Sequence, residues 1–548
     1  MVKMTKQSNS NKSIKLSDGF YNEKHPYGVL PAGNAYLCSP EEAMVRPKGL
    51  GLILAKLTDE ALIELLAFLN ANELSRCSAC SRAFYVYAHH SDLWRDLTLR
   101  RWEGTPIEYQ RSWKETYMIM GKRQMIVGNE ALHQPISVRG VYSNLLHRAW
   151  ACHSCDLATA CPGFFKHCDV ERSSFLECNV ERFISEFESR NKPLVLTGAV
   201  DYWPALHNWT EAYLVNASDE VKKNAGKEPT FRATSATAPV AASFTLRGYF
   251  NYLNQAREEA PLYLFERDFV RKVNQLGKDY DVPVYFRSPD DYCVTHECEN
   301  HSGFGENKEC KEGPEKGLPG TDLFRILGST ARPDHRWLIC GPKRSGSIFH
   351  IDPNQTNAWN VCLQGRKKWI FYPPGMHPPG VVSSADGADV TVPISTGEWL
   401  LSFWKMHLEA RNHPDPLKRP LEVIVNPGEI VFVPHSYWHM VVNLDDCIAL
   451  THNYVSTSNL ADCLRFLRDT PDQISGVRDR AEAITPECMF DVFTRRLEET
   501  GVIPADQLRQ ALARSEQKTG LVSVLPRKRK AVGDVDAVPA ETFNFSFF

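Results

Sequence analysis

His350 and Asp352, in the run SGSIFHIDPNQTNAWN, stand two residues apart. If SIFHID is a strand, both side chains leave the same face and can reach one ion from one side. A third ligand must then come from elsewhere in the chain. His439, in EIVFVPHSYWHMVVNL just before a predicted strand, is the best-placed candidate. Two imidazoles and one carboxylate on one face leave three positions open. That donor set suits non-haem Fe(II), with 2-oxoglutarate and dioxygen as its natural occupants.

Short motifs also arise by chance. With 18 His in the chain, about one His-x-Asp triplet is expected at random. The chain has four: His90/Asp92, His167/Asp169, His350/Asp352 and His413/Asp415. His90 lies where a helix would start, so Asp92 reads as a cap; His413 sits in a Pro-rich loop, and His167 in an unpatterned Cys-rich stretch. By spacing alone His350/Asp352 is as readily coincidence as ligand pair, and its surroundings must decide.

The elements that would position such a site have a β texture. From about residue 173 the chain breaks into short apolar runs between Gly and Pro: PLVLTGAV, HRWLICG, KKWIFYPP, EIVFVP, MVVNL, CIALTHNYV. Many short strands of this kind predict a β-barrel or double-sheet jelly roll over 173–460. Ahead of it, 46–115 reads as three short helices. Thr58 caps the first, and Leu62, Leu65, Leu66 and Leu69 fall at i, i+3, i+4, i+7. The second is ELSRCSACSRAFYVYA, and Ser91 or Asp92 caps the third. Residues 1–45 and 522–548 read as flexible tails, 116–172 as a connector, 461–521 as C-terminal helices, and the Gly/Glu/Cys-rich stretch from Asp290 to Gly320 as a surface insertion.

Composition removes other classes. Lys+Arg total 63 against 66 Asp+Glu, a net charge of −3, so at most weak nucleic-acid binding is expected. No apolar run approaches the ~20 residues a bilayer span needs, and the N-terminus lacks a signal-peptide core. A soluble intracellular protein is expected. Its 16 Cys then read as reduced, mostly buried thiols. Cys152-x-x-Cys155 with Cys161 and Cys168 is a zinc half-site lacking its second half, and the spacing argues against structural zinc. The same holds for Cys293, His296, Cys298, His301 and Cys310. The basic run Arg527–Lys530 is an import signal or a solvated tail, and nuclear action is the expectation.

The linked motifs GPKRSG, HIDP, AWN, QGRKKW, NPGE, VFVP, SYWH, NLD and IALTHN, with PLYLFE and KPLVLTGAVDYWPAL upstream, resemble the JmjC (Jumonji C) 2-oxoglutarate oxygenases. Within them the likeness is to the lysyl hydroxylase and arginine demethylase branch once described as phosphatidylserine receptors. The resemblance implies a mainly β, cupin-like double-stranded β-helix in which His350, Asp352 and His439 hold Fe(II). It implies that Lys367 pairs with the distal carboxylate of 2-oxoglutarate, that Thr451 and Tyr263 donate hydroxyls to it, and that Asn360, Asn443 and Ser347 line the cosubstrate site. Read as residues alone, Lys367 is as readily a solvated hairpin lysine beside Arg366 and Lys368, and the two asparagines are turn or edge residues. The implied reaction hydroxylates a protein C–H bond; on an N-methyl group the alcohol collapses to formaldehyde and amine. Residues 50–97 resemble an F-box, with Leu57-Thr58 at the usual Leu-Pro. That implies docking on a Skp-type adaptor through Leu57, Leu62, Leu65, Leu66, Leu69 and Trp94. Two alternatives stand beside these readings: three helices that only brace the barrel, and a non-catalytic barrel that recognises targets for a ubiquitin ligase.

Overall fold

The computed structural model describes residues 25, 27–31, 40, 44–122, 140–287, 322–384, 387–477 and 484–517. The Asp290–Gly320 insertion with its Cys/His set, and the Arg527–Lys530 run, lie outside these residues. Two facing sheets form the centre. The smaller has four strands in the order Leu421–Val425, Lys367–Tyr372, Trp438–Asn443, Gly346–His350, and the larger has nine. At the heart of the larger sheet Ile430–Val433, Asn357–Gln364, Cys447–Tyr454 and Arg336–Gly341 pair antiparallel in that order. Four strands against four, alternating along the chain except where Lys367–Tyr372 and Leu421–Val425 follow one another in the smaller sheet, is the expected double-stranded β-helix.

Why these runs make strands is plain from their content. Lys367–Tyr372 and Trp438–Asn443 are buried at every position, rich in β-branched and aromatic side chains that pack on a pleat. Val195, Ala358, Trp369, Phe371, Val423, Val431 and Val441 fill the space between the sheets. The helix Thr396–Arg411, capped by Ser395, covers the outer face of the small sheet. It is anchored by charge as well as by Trp399 and Trp404. Glu422, fully buried, forms an ion pair with Lys368 Nζ at 2.9 Å, accepts from Arg411 Nη1 at 2.8 Å, and faces His407 at 3.1 Å and His167 at 2.8 Å. Such a carboxylate tolerates burial only because its oxygens are surrounded by donors.

The N-terminal helices differ from expectation in number and in attachment. Five helices replace three: Val45–Leu54, Asp59–Ala67, Ala71–Cys80, Arg82–Ala88 and Ser91–Arg101. The predicted second helix breaks at Ser81, whose extended backbone lets its hydroxyl cap the next helix through Phe84 N while donating to Gly49 O. Thr58 caps as predicted, accepting from Ala61 N. The last helix has no side-chain cap; Asp92 instead pairs with Arg95 at 2.8 Å. Leu62, Leu66 and Trp94 share one continuous apolar core with Phe244, Tyr252 and Leu338 of the barrel flank, so the helical module is part of the catalytic body. After the barrel, Leu460–Asp469, Met489–Thr500 and Ala505–Glu516 pack together, and Gly501 ends the second of these at φ 57°.

Candidate metal and cosubstrate centre

His350 and His439 face each other across neighbouring antiparallel strands, directly in register, with ring centroids 4.2 Å apart. His439 lies within its strand, Trp438–Asn443, rather than just before it. Asp352 lies just past the end of the other, Gly346–His350, where the extended backbone (φ −60°, ψ 140°) turns its carboxylate back toward the imidazoles. Its Oδ1 is 3.9 Å from Nε2 of each histidine. One ligand atom from each residue lies within 4.8 Å of the other two, a span that one ion bonded at about 2.0–2.2 Å closes with small side-chain rotations. The tautomers suit this role. His350 Nδ1 sits 2.8 Å from Ile348 O and His439 Nδ1 3.1 Å from Tyr437 O. A proton held on each Nδ1 leaves the Nε2 lone pair aimed at the shared point. Burial, and next the neighbouring His350, hold the His439 imidazole well below its usual value, so it is neutral. Neutral imidazole is the form that coordinates.

A close approach of backbones makes this possible. Gly346 has φ 149°, and a Cβ there would stand 1.9 Å from Val441 O. Only glycine lets the His350 strand draw up to the His439 strand.

The same cavity, of about 130 Å³, reaches from the triad to Lys367. The Lys367 side chain is almost wholly buried, with 1% exposed. Its Nζ donates to Tyr263 Oη at 2.9 Å and Asn443 Oδ1 at 2.8 Å; both acceptors are neutral, because burial pushes the Tyr263 phenol up. No described carboxylate makes an ion pair with it. An ammonium so placed calls for an anion. A dicarboxylate spanning the cavity supplies one at the far end and leaves its keto-acid end at the triad, so the residues present fit both iron and 2-oxoglutarate. With both bound, the centre supplies the oxidant for a C–H bond; the protein's part is to hold, orient and keep out water.

The six predicted cosubstrate residues take different stations. Tyr263, Lys367, Thr451, Asn360 and Ser347 line the cavity, and Asn443 stands behind Lys367. Asn443 Nδ2 donates to Ser345 Oγ at 3.0 Å, which fixes Oδ1 toward the ammonium. Thr451 Oγ1 donates to Trp359 O at 3.1 Å, so serving a ligand requires its hydroxyl to turn. Asn360 Oδ1 is buried with no hydrogen-bond partner, on a residue directly opposite Thr451 in the sheet. Ser345 and Gly341 were not anticipated, although both belong to GPKRSG and its approach. A Cβ at Gly341 would stand 2.2 Å from the Tyr263 ring. Trp359 and Trp438 pack in the core, the first stacked on His452 at 4.3 Å.

The other His-x-Asp pairs serve local ends. His167 faces Glu422 while Asp169 pairs with Arg411 at 2.6 Å, and Asp415 caps Pro416–Lys418. Cys155 and Cys161 pack with Trp399 under the small sheet, and Cys168 is exposed beside Arg172. Among the described residues, the triad is the group of His, Cys, Asp and Glu donors close enough to share an ion. No described helix is long and apolar enough to cross a membrane.

In the helical module, the exposed apolar side chains are not those expected. Leu62, Leu66 and Trp94 are buried, so they cannot meet a partner, and Leu57 and Leu69 are half-buried. That part of the docking set is corrected. Leu65, with Leu52, Ile53 and Phe68, stands out to solvent, Phe68 at 87%.

Comparison with known proteins places these features in families. Residues 180–459 match the cupin-like domain, and 56–100 match the F-box-like domain. The chain is 34% identical over 536 residues to the arginine-specific demethylase JMJ22 of Arabidopsis thaliana, covering 97% of this chain and 91% of that one. It is 29% identical over 293 residues to the bifunctional arginine demethylase and lysyl-hydroxylase psr-1 of Caenorhabditis elegans, covering 53% and 62%. A shorter match, 37% over 154 residues and 27% and 34% of the two chains, is to the human 2-oxoglutarate and iron-dependent oxygenase JMJD4.

Proposed function

The chain belongs to the cupin-like JmjC oxygenases, with an F-box-like domain ahead of the barrel, and on that premise we propose that it oxidises a side-chain carbon of a basic residue in a protein substrate. One observation carries the reading. The buried Lys367 and the His350/Asp352/His439 triad open into one cavity, and a binding-only barrel has no use for an unpaired buried ammonium. The relatives' names cover hydroxylation of lysine and demethylation of arginine or of lysine; all begin with the same C–H oxidation. The relative matched along nearly its whole length is a demethylase, which favours an N-methyl carbon as the target. Full-length protein with Fe(II) and 2-oxoglutarate, incubated with nuclear extract and read by peptide mass spectrometry, is expected to remove one methyl equivalent from arginine, with formaldehyde released. Addition of one oxygen to lysine would select the hydroxylase branch, and neither change would remove the oxygenase reading.

The F-box-like helices favour a second role beside catalysis, docking on a Skp-type adaptor through the exposed Leu52, Ile53, Leu65 and Phe68. Changing Leu65 and Phe68 together to glutamate should abolish co-purification of the adaptor with the full chain. Surface substitutions of this kind shift stability by only about ±0.5 kcal/mol, so the melting temperature should hold. Adaptor retained by the double variant would move the docking face away from Leu65 and Phe68, and no adaptor on the wild-type chain would leave the helices as bracing alone. The full chain is needed because these helices complete their core with barrel residues.

A further inference from the structure

Helix Ser91–Arg101 of the F-box-like module sends one side chain into the catalytic half. Arg95 is 2% exposed. One side of its guanidinium is held by carboxylates of its own helix: Nη1 lies 2.8 Å from Asp92 Oδ1, while Nε and Nη2 lie 3.0 Å and 2.9 Å from Asp96 Oδ1. The other side grips one residue far along the chain. Nη1 donates to Thr237 Oγ1 at 3.0 Å and Nη2 to Thr237 O at 2.7 Å. A planar fork that holds both the hydroxyl and the carbonyl of a single residue fixes its backbone as well as its side chain.

Thr237 belongs to the turn between the strands Phe231–Thr234 and Ala242–Phe244, closed by Ala238 N to Ser235 O at 3.2 Å. Ser235 and Ala236 of this turn line the metal cavity. Thr237 lines a second, larger cavity of about 1060 Å³, whose lining includes His89, His90 and Asp92 of the helical module. The two cavities share Glu259, Ala260, Arg344 and Ile394, so the turn is a lip between adjoining spaces. The smaller reaches the triad; the larger is at the upper end of ligand-pocket sizes and carries both polar and apolar walls. Only an extended chain would use both at once, with one side chain over the lip and its neighbours in the space beyond.

We propose that the F-box-like module completes the polypeptide-binding site of the oxygenase, the substrate chain lying in the cavity between module and barrel and Arg95 acting as the positioning residue for the Ser235–Thr237 lip. This rests on the oxygenase reading above and adds the course of the substrate and a residue that sets it. A merely structural Arg95 would pin the module to a framework strand; this one holds a turn at the mouth of the active site.

The test uses the full chain as wild type, Arg95→Lys and Arg95→Met, with a peptide carrying one N-methylated arginine as probe. Lysine keeps a cation between Asp92 and Asp96 but cannot hold both atoms of Thr237, so Arg95→Lys guards against an unfolded Arg95→Met. Hydrogen exchange over 234–241 should quicken about tenfold in Arg95→Lys, as expected of a segment released from its anchor. The KM for the peptide should rise about tenfold with kcat held, while 2-oxoglutarate consumption without peptide stays within about twofold of wild type, the pattern of lost substrate binding. Unchanged exchange, an unchanged peptide KM, or a parallel fall in peptide-free consumption would each overturn the proposal. A wild-type protein that releases no formaldehyde from the peptide would instead count against the demethylase reading, and the exchange result then decides the lip by itself.

Discussion

Asp352→Ala is expected to lower 2-oxoglutarate turnover by at least about 10³-fold, since a catalytic metal supplies several kcal/mol that no other group replaces. Burial keeps His439 neutral, and of the three donors Asp352 is the carboxylate. It is also the donor least involved in the fold. The histidines sit on paired strands, His350 as the last residue of its own, whereas Asp352 follows the end of that strand. Burial already pushes its carboxyl up, with only His350 and Asn453 opposing. Alanine therefore removes a costly buried charge together with the metal's affinity. Thermal unfolding of metal-free protein should occur at or slightly above the wild-type temperature, while titration calorimetry with Fe(II) under anaerobic conditions should show binding lost. Turnover near wild type in this variant would sink the metal-centre assignment, and a large fall in melting temperature would recast Asp352 as a structural residue.

The parts of the site that could be read in the sequence were those fixed by strand periodicity and by linked motifs. His350 and Asp352 share a spacing that an extended chain turns to one side, and His439 could be chosen because it stands at the start of a predicted strand. The pairing of His350 directly against His439 was not legible, because register depends on which strands become neighbours, a long-range choice. The helical module shows the converse. Its stripe of Leu62, Leu65, Leu66 and Leu69 was read as one helix face, yet the helix ends at Ala67 and only Leu62 and Leu66 of the four are buried; nor does a stripe show what buries it. The neighbouring helices Arg82–Ala88, Ser91–Arg101 and Asn144–Ser154 do so for Leu62 and Leu66, in a core continuous with the barrel flank, which is why these residues and Trp94 are core and the solvent-facing Leu65 and Phe68 remain for a partner. Lys367 was ambiguous for a similar reason. Within QGRKKW, three consecutive cations look alike, yet the structure gives each a different fate: Arg366 pairs at the surface with Asp445 at 2.7 Å, Lys368 meets the buried Glu422, and Lys367 enters the cavity. Alternation along the strand separates Lys367 from Lys368, and only the facing sheet shows which side is the cavity.

Lys367→Met should raise the KM for 2-oxoglutarate by about 30- to 4,000-fold, the range for losing one partner of a buried, hydrogen-bonded charge pair at about 2–5 kcal/mol. Methionine nearly matches the lysine in volume and flexibility, so the cavity keeps its shape while losing its cation. The deficit should fall on KM more than on kcat, because this contact lies at the far end of the cavity from the triad and holds the cosubstrate alike in ground and transition states. Stability should move in the opposite direction. Before 2-oxoglutarate enters, the ammonium is buried against a phenol and an amide with no carboxylate among the described residues to balance it, an arrangement that costs stability. Replacing it by a thioether should raise the melting temperature of the cosubstrate-free protein by about 1 °C for each kcal/mol gained, the shift that an unfolding entropy of about 2.1 cal/mol/K per residue gives a chain of this length. Tyr263 and Asn443 each lose a partner in the exchange, but Asn443 keeps Ser345 and Tyr263 keeps a hydroxyl able to turn toward the cavity. Calorimetric titration of 2-oxoglutarate and thermal unfolding, run on the same preparations, check both halves. Weaker binding with a lowered melting temperature would mean that Lys367 braces the barrel, and unchanged binding would remove it from the cosubstrate site. Weaker binding with a raised melting temperature is the result that belongs to a residue kept for function at the expense of the fold.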